Sequence, residues 1–273
     1  AIAQIFAPNL VTQRATLTEG GTQQNDRNTA FQSKIGGRVL PEFISLKDLP
    51  DMKKYENTYL LGNYQIDDDG IKAENVNLVE DGYLKNLLSE RIPTRRVRNS
   101  NGPRRGGAAM FSNIVVDVKK DKQKSDKDRL IKLCKDRELP YGIIVKKIMN
   151  QNLMFTTMFR VSGSGFQMPR GNNVLLITEA YKVYPDGKEE LIRGGELKGI
   201  SPQSFKDIIE SGNKNYAYNL LATSVISSFI TGGDQYIGSS IVTPDLLFED
   251  LEVKSPEEDL KKPPILSSPL MNK

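Results

Sequence analysis

Ala73-Glu74-Asn75-Val76-Asn77-Leu78-Val79-Glu80-Asp81-Gly82-Tyr83-Leu84-Lys85-Asn86-Leu87-Leu88 is the stretch on which the fold turns. Val76 and Leu78 fall on one face and Asn75 and Asn77 on the other, the period of two expected of a half-buried strand. Asp81-Gly82 is a two-residue hairpin turn of the favoured kind, because both central positions need a residue that tolerates positive φ. Tyr83 to Leu88 then returns as the second strand.

The same pattern extends in both directions. Upstream, Pro41 to Leu46 reads as a short strand, and Tyr64-Gln65-Ile66 runs into the turn Asp67-Asp68-Asp69-Gly70. Downstream, Gly142 to Met149 is β-rich. Asn173 to Tyr184 is a long strand that turns at Tyr184-Pro185-Asp186-Gly187, and Lys188 to Arg193 pairs back on it. Tyr218 to Ile230 is apolar enough for a buried strand or a buried helix, which periodicity does not separate. Ile241 to Val253 reads as strand. Three short helices are expected. One runs from Ala1, with Ile2, Ile5 and Phe6 on one face, and ends near Pro8-Asn9. A second is capped by Ser125, carries Asp128 at its third position, and places Leu130, Ile131, Leu133 and Cys134 at helical spacing to about Glu138, before Pro140 stops it. The third opens at Ser201-Pro202 and runs to Ser211. The expected class is α+β, predominantly antiparallel β.

Composition narrows the chemistry. The 273 residues contain no histidine and one cysteine, Cys134. No imidazole is present to act as general base, so Ser-His and Cys-His pairs are excluded within this chain. Cys134 sits at an apolar helix position, as a buried structural thiol does. Net charge is +4, from 38 basic and 34 acidic residues, a near balance that demands no polyanionic partner. No stretch approaches the apolar run needed to cross a bilayer. Residues 12–30 are polar and turn-rich and read as a loop. From Ser255 the composition shifts to Pro, Lys, Glu and Ser, an extended tail over 255–273. The first helix opens without a capping residue, which leads us to expect a longer protein upstream of Ala1; the compartment is left open.

Several short motifs bear on the chemistry open to the chain. A calcium loop begun at Asp67 needs an oxygen ligand at its fifth position and a glutamate at its twelfth, where Ile71 and Leu78 stand, so a solvated turn is expected instead. Ser211-Gly212-Asn213-Lys214 has Ser-x-x-Lys spacing, yet Gly and Asn break the helix that such a dyad requires. Gly106-Gly107 and Gly163-Ser164-Gly165 lack the strand–glycine–helix context of a phosphate loop. The densest charge feature is Arg91 to Arg105, with no acid from Arg91 to Val116. Arginine forks suit phosphate or carboxylate. Because no aromatic residue interleaves before Phe111, a carboxylate-binding edge or solvated loop is favoured over a nucleic-acid surface, which is kept as an alternative.

Ile66-Asp67-Asp68-Asp69-Gly70 followed by Asn77-Leu78-Val79-Glu80-Asp81-Gly82-Tyr83-Leu84-Lys85 resembles the TldD/PmbA family, proteins named as modulators of DNA gyrase and regarded as zinc metallopeptidases. Ser100-Asn101-Gly102-Pro103-Arg104-Arg105, the helix and strand from Ser125 to Gly142, Thr178-Glu179-Ala180-Tyr181 with Pro185-Asp186-Gly187-Lys188, and Pro244 to Val253 resemble further family segments in the same order. The resemblance covers about residues 31 to 254. It implies the family's C-terminal half, a curved, barrel-like antiparallel domain over residues 1–254 with 1–30 as entry helix and loop, and an α/β domain upstream. The family's zinc is held by a His-Glu-x-x-x-His helix, which would end near Ala1 to Phe6, and by a later Cys between Phe229 and Gly238. This chain has neither. The resemblance therefore implies a domain with no metal or cofactor of its own (zinc in active relatives) and no catalytic residue in this chain. Its expected role is one wall of a cleft for an extended or unfolded peptide. Asn101, Arg104, Arg105 and Asn113 are the expected peptide-binding residues. A homodimer or a related zinc-bearing subunit is the expected protein partner, a non-catalytic scaffold is the alternative role, no membrane is expected, and the family favours the cytoplasm.

Overall fold

The computed structural model describes residues 2–12, 16–18, 21–23, 31–91, 96–119, 126–149, 175–192, 194–223 and 236–255. Strands in chain order are β1 Thr16–Thr18, β2 Gly21–Gln23, β3 Ile44–Asp48, β4 Lys54–Tyr55, β5 Thr58–Tyr59, β6 Val76–Glu80, β7 Tyr83–Leu84, β8 Arg104–Arg105, β9 Ala108–Ala109 and β10 Asn113–Val118. After the helix α1 Asp126–Asp136 come β11 Gly142–Ile148, β12 Leu175–Val183, β13 Glu189–Ile192, β14 Gly195–Lys198, β15 Ile208–Thr223, β16 Tyr236–Phe248 and β17 Glu252–Lys254. The other helical turns are Ile2–Phe6 with Ala7–Leu10, and Pro202–Asp207.

The Asp81-Gly82 hairpin forms as expected, with Val79 opposite Leu84 and Glu80 opposite Tyr83. Gly82 has φ +81°, and a Cβ there would stand 2.5 Å from the Leu40 carbonyl oxygen, so only glycine fits. This hairpin is the end of a six-stranded sheet ordered β15-β16-β10-β3-β6-β7. Every pairing in it is antiparallel except β10 with β16, where Asn113 lies beside Ser240 in parallel register. A second sheet runs β11-β12-β14-β17, with β13 also on β12. The two sheets curve around one core and do not close: β15 and β11 each have a single strand neighbour among the described residues.

Ile44, Leu46, Leu78, Ile114 and Val116 of the first sheet meet Leu175, Ile177, Ala180 and Leu197 of the second. Aromatic side chains fill the end of this core: Phe6 packs against Phe31 and Phe205 at centroid distances of 5.0 and 4.9 Å, and Phe205 meets Phe248 edge-on at 5.5 Å. Val115 and Val242 point the other way, under Leu60. A third cluster joins Leu130 and Cys134 of α1 to Val183. Cys134 is fully buried, and burial raises its thiol pKa. Among the described residues no helix is long and apolar enough to cross a membrane.

Several expectations shift. The first helix is a wide turn over Ile2–Phe6 tightened by Ala7–Leu10, because Pro8 supplies no amide for a regular ladder. The helix expected from Ser201 to Ser211 stops at Asp207, and Ile208 already lies in β15, where pairing to Phe248 overrides the short helix. Part of the loop expected over 12–30 is the hairpin β1–β2. Tyr64-Gln65-Ile66 forms no strand beyond the bridge from Ile66 to Lys72. Strand β10, read past in the sequence, lies inside the first sheet. Ser125, Gly163-Ser164-Gly165, residues 229–235 and the tail beyond 255 lie outside the described residues.

Candidate functional site

The open side of the two sheets is a cleft with a volume of about 1280 Å³. One wall is the edge strand β11, from Gly142 to Ile148. The other is formed by β15 and β16, where Tyr216, Tyr218 and Leu220 face the cleft at a spacing of two. Tyr218 is 51% exposed, and burial of its remainder together with nearby Asp245 raises its pKa. On the opposite face of β15 the side chains are engaged: the Asn219 amide nitrogen donates to the Tyr59 carbonyl at 2.8 Å, and its oxygen accepts from Ser240 Oγ at 2.8 Å.

Helix α1 bridges the end of the cleft. Lys127 Nζ reaches Glu189 at 2.7 Å and the Gly187 carbonyl at 2.8 Å, on the second sheet. Arg129 Nη1 donates to the Ser211 carbonyl at 2.6 Å and its Nε lies 3.2 Å from Glu210, on the first sheet. Ser211 marks the irregular part of β15, where register slips before Asn215. Across that stretch Arg129 occupies an edge carbonyl; strand edges are commonly blunted in this way. The Ser-x-x-Lys spacing at Ser211 to Lys214 falls in this strand, not on a helix.

The arginines of the basic stretch separate. Arg91, Arg96 and Arg98 are exposed, and Arg96 Nη1 donates to the Ser33 carbonyl at 3.0 Å. Arg104 and Arg105 form β8, joined to β9 through Gly106-Gly107, both at positive φ. Arg104 Nη1 meets Asp69 Oδ1 at 2.5 Å, and its amide donates to Asp67 Oδ2 at 3.2 Å. Asp67 Oδ1 accepts the amides of Asp69 and Ile71 at 2.9 and 2.8 Å. The acidic turn thus folds onto the arginine hairpin. Arg105 is buried over the Tyr64 ring, 4.6 Å from its centroid, and donates to the carbonyls of Phe111 and Gly238 at 2.5 and 2.8 Å and to Ser239 Oγ at 3.1 Å. Burial lowers its pKa, opposed by Tyr64, Asp48 and Asp68.

The two asparagines also bond within the chain. Asn101 donates to the Leu87 carbonyl at 3.0 Å and accepts from the Ser89 amide at 2.9 Å. Asn113 donates to the carbonyls of Leu49 and Met52 at 3.0 and 2.8 Å. Arg105 and Asn113 therefore come together at the β10–β16 junction, while Asn101 and Arg104 pin adjoining loops. None of the four is among the residues lining the cleft. Next to Arg105 lies Asp48, 1% exposed, accepting the Ser112 amide at 2.8 Å. Burial pushes its pKa up to about 6, against the lowering effects of Ser112 and Arg105.

Sequence reading missed the cleft walls. The alternation Tyr216-Ala217-Tyr218-Asn219-Leu220 was the available signal; β11 and Arg129 carried none, because an edge is a property of the sheet. Where the resemblance places the end of the zinc-binding helix, Ile2 to Phe6 present apolar side chains and one amide, Gln4, whose Nε2 donates to the Met149 carbonyl at 2.9 Å. That donor set does not fit zinc. Among the described residues no three His, Cys, Asp or Glu side chains gather to hold a metal.

Comparison with known proteins matches residues 5–255 to the PmbA/TldA metallopeptidase C-terminal domain. TldE from Thermococcus kodakarensis has the same fold, at a TM-score of 0.55 and 15% identity, over 92% of this chain and 47% of that one. A protein described as a modulator of DNA gyrase from Thermotoga maritima aligns at a TM-score of 0.51 and 18% identity, over 82% of this chain and 42% of that one. The chain thus spans less than half the length of either structure. No curated protein matches it. The chain belongs to the PmbA/TldA metallopeptidase C-terminal domain family.

Proposed function

We propose that this chain binds an extended polypeptide in the cleft between β11 and β15, by adding a strand to one of the two edges. The observation that carries this reading is the coincidence, among the described residues, of two sheet edges and an apolar cavity. A strand edge offers backbone donors and acceptors at a fixed spacing, which any extended peptide matches, and side chains of alternate residues then drop into the cavity. Asn101, Arg104, Arg105 and Asn113 enter as framework: they fix the loops and the β10–β16 junction from which β15 and β16 extend.

Within a metallopeptidase family, the apolar donor set at Ile2 to Phe6 favours a subunit that presents polypeptide and leaves hydrolysis to a zinc-bearing partner, either a related chain or another part of a larger protein. Hydrogen exchange of the protein with and without reduced, carboxymethylated α-lactalbumin tests the reading. Protection of amides in β11 or in residues 215–220 of β15 is the expected result. Binding that leaves both edges unprotected, or no binding at all, overturns it.

A further inference from the structure

We infer that the cleft selects extended segments that carry apolar and basic side chains together and excludes acidic ones; this rests on the peptide-binding reading. The chain as a whole carries +4, yet among the described residues the charged side chains lining the cleft are three cations and five carboxylates. Negative charge is thus concentrated where the peptide is to lie. Three of the carboxylates are occupied: Glu179 with Lys147 at 2.7 Å, Glu210 with Arg129 at 3.2 Å, and Glu249 with Arg137. Asp245 and Asp250, both exposed on the β16 side, hold no ion pair among the described residues. On the opposite wall Lys147 is held by Glu179 and Lys146 lies over the Tyr181 ring, 4.9 Å from its centroid.

The floor and walls between these charges are aliphatic and aromatic. Tyr216, Tyr218 and Leu220 repeat every second residue, which is also the period at which an added strand presents its side chains to one face. An added strand thus turns one row of its side chains into the cleft, where the apolar surface and the Asp245 and Asp250 carboxylates both lie. Among the apolar residues of this row lysine and arginine fit as well, because their aliphatic stems cover apolar surface while the charge reaches the carboxylates at the rim. Aspartate and glutamate there meet like charge and are rejected.

The test compares two fluorescein-labelled octapeptides that share Val and Phe at six positions and carry lysine or glutamate at the third and fifth, on the same face as the first and seventh. Anisotropy titrations of the protein at low and at high salt give the preference. At low salt the lysine peptide is expected to bind at least about tenfold more tightly, the size of effect that two opposite charges a few ångströms apart produce in a wet site. The ratio shrinks as salt screens it. Asp245→Lys combined with Asp250→Lys, both at exposed positions, is expected to abolish or reverse the ratio. Equal affinity for the two peptides, or a preference unchanged in the double variant, overturns the inference and leaves peptide binding standing. Failure of both peptides to bind overturns the inference and the reading beneath it together.

Discussion

Replacing Asp48 by asparagine is expected to make the protein more stable at neutral pH and to remove part of its pH dependence. The carboxyl is buried, and its pKa stands at about 6 against an ordinary 3.8. Between those values the folded state holds a proton that the unfolded chain has released, so stability falls as pH rises through the window. At 1.36 kcal/mol for each pKa unit, the ionised side chain costs about 3 kcal/mol above pH 7, of which about 2 kcal/mol accrues between pH 4.5 and 7.5. The attraction of Arg105 is already inside that net figure, since it opposes the rise. Asparagine keeps an oxygen for the Ser112 amide and carries no charge. Urea unfolding followed by circular dichroism, for both proteins at pH 4.5 and 7.5, isolates the effect, because every other titrating group is common to the two. The variant is expected to gain about 2 kcal/mol on the wild type over that interval. Parallel pH dependence, or a variant less stable at pH 7.5, refutes the assignment of the buried charge.

Gly62→Ala is expected to destabilise by at least about 2 kcal/mol in the same assay, because the added carbon would stand 2.3 Å from both the Ser112 carbonyl oxygen and Asn113 Oδ1. Phe6→Ala opens a cavity between Phe31 and Phe205 and is expected to cost about 3–5 kcal/mol in urea unfolding. Prolonged dialysis against a chelator is expected to leave the melting temperature of this chain unchanged; a fall that one equivalent of zinc restores would contradict the reading of the donor set at Ile2 to Phe6.

Legibility followed locality. The Asp81-Gly82 hairpin, the Tyr184-to-Gly187 turn and the α1 helix depend on residues close in sequence, and all three read out directly. The pairing β10 with β16 does not, since nothing near Asn113 names Ser240 as its neighbour. The cleft shares that origin: it exists because β11 and β15 each have one strand neighbour among the described residues, a fact of sheet order that no single segment records. The charge of Arg104 and Arg105 suggests exposure. Asp67, Asp69 and the carbonyls of Phe111 and Gly238 draw them inward instead, and those partners are scattered along the chain. Family membership was legible because it rests on several local motifs in order, none of which needs the tertiary contacts.

The parallel seam between β10 and β16 also sets an order of assembly. β10 can pair early with β3, which precedes it, but its other edge waits until the chain has been made as far as β16. A parallel neighbour brought in from so far along the chain loses loop entropy before it gains contacts, so this seam is expected to form late in folding. During that interval Ile114, Val115 and Val116 lie on an open strand of high β-propensity, which is where a nascent or refolding chain is expected to meet another copy and aggregate.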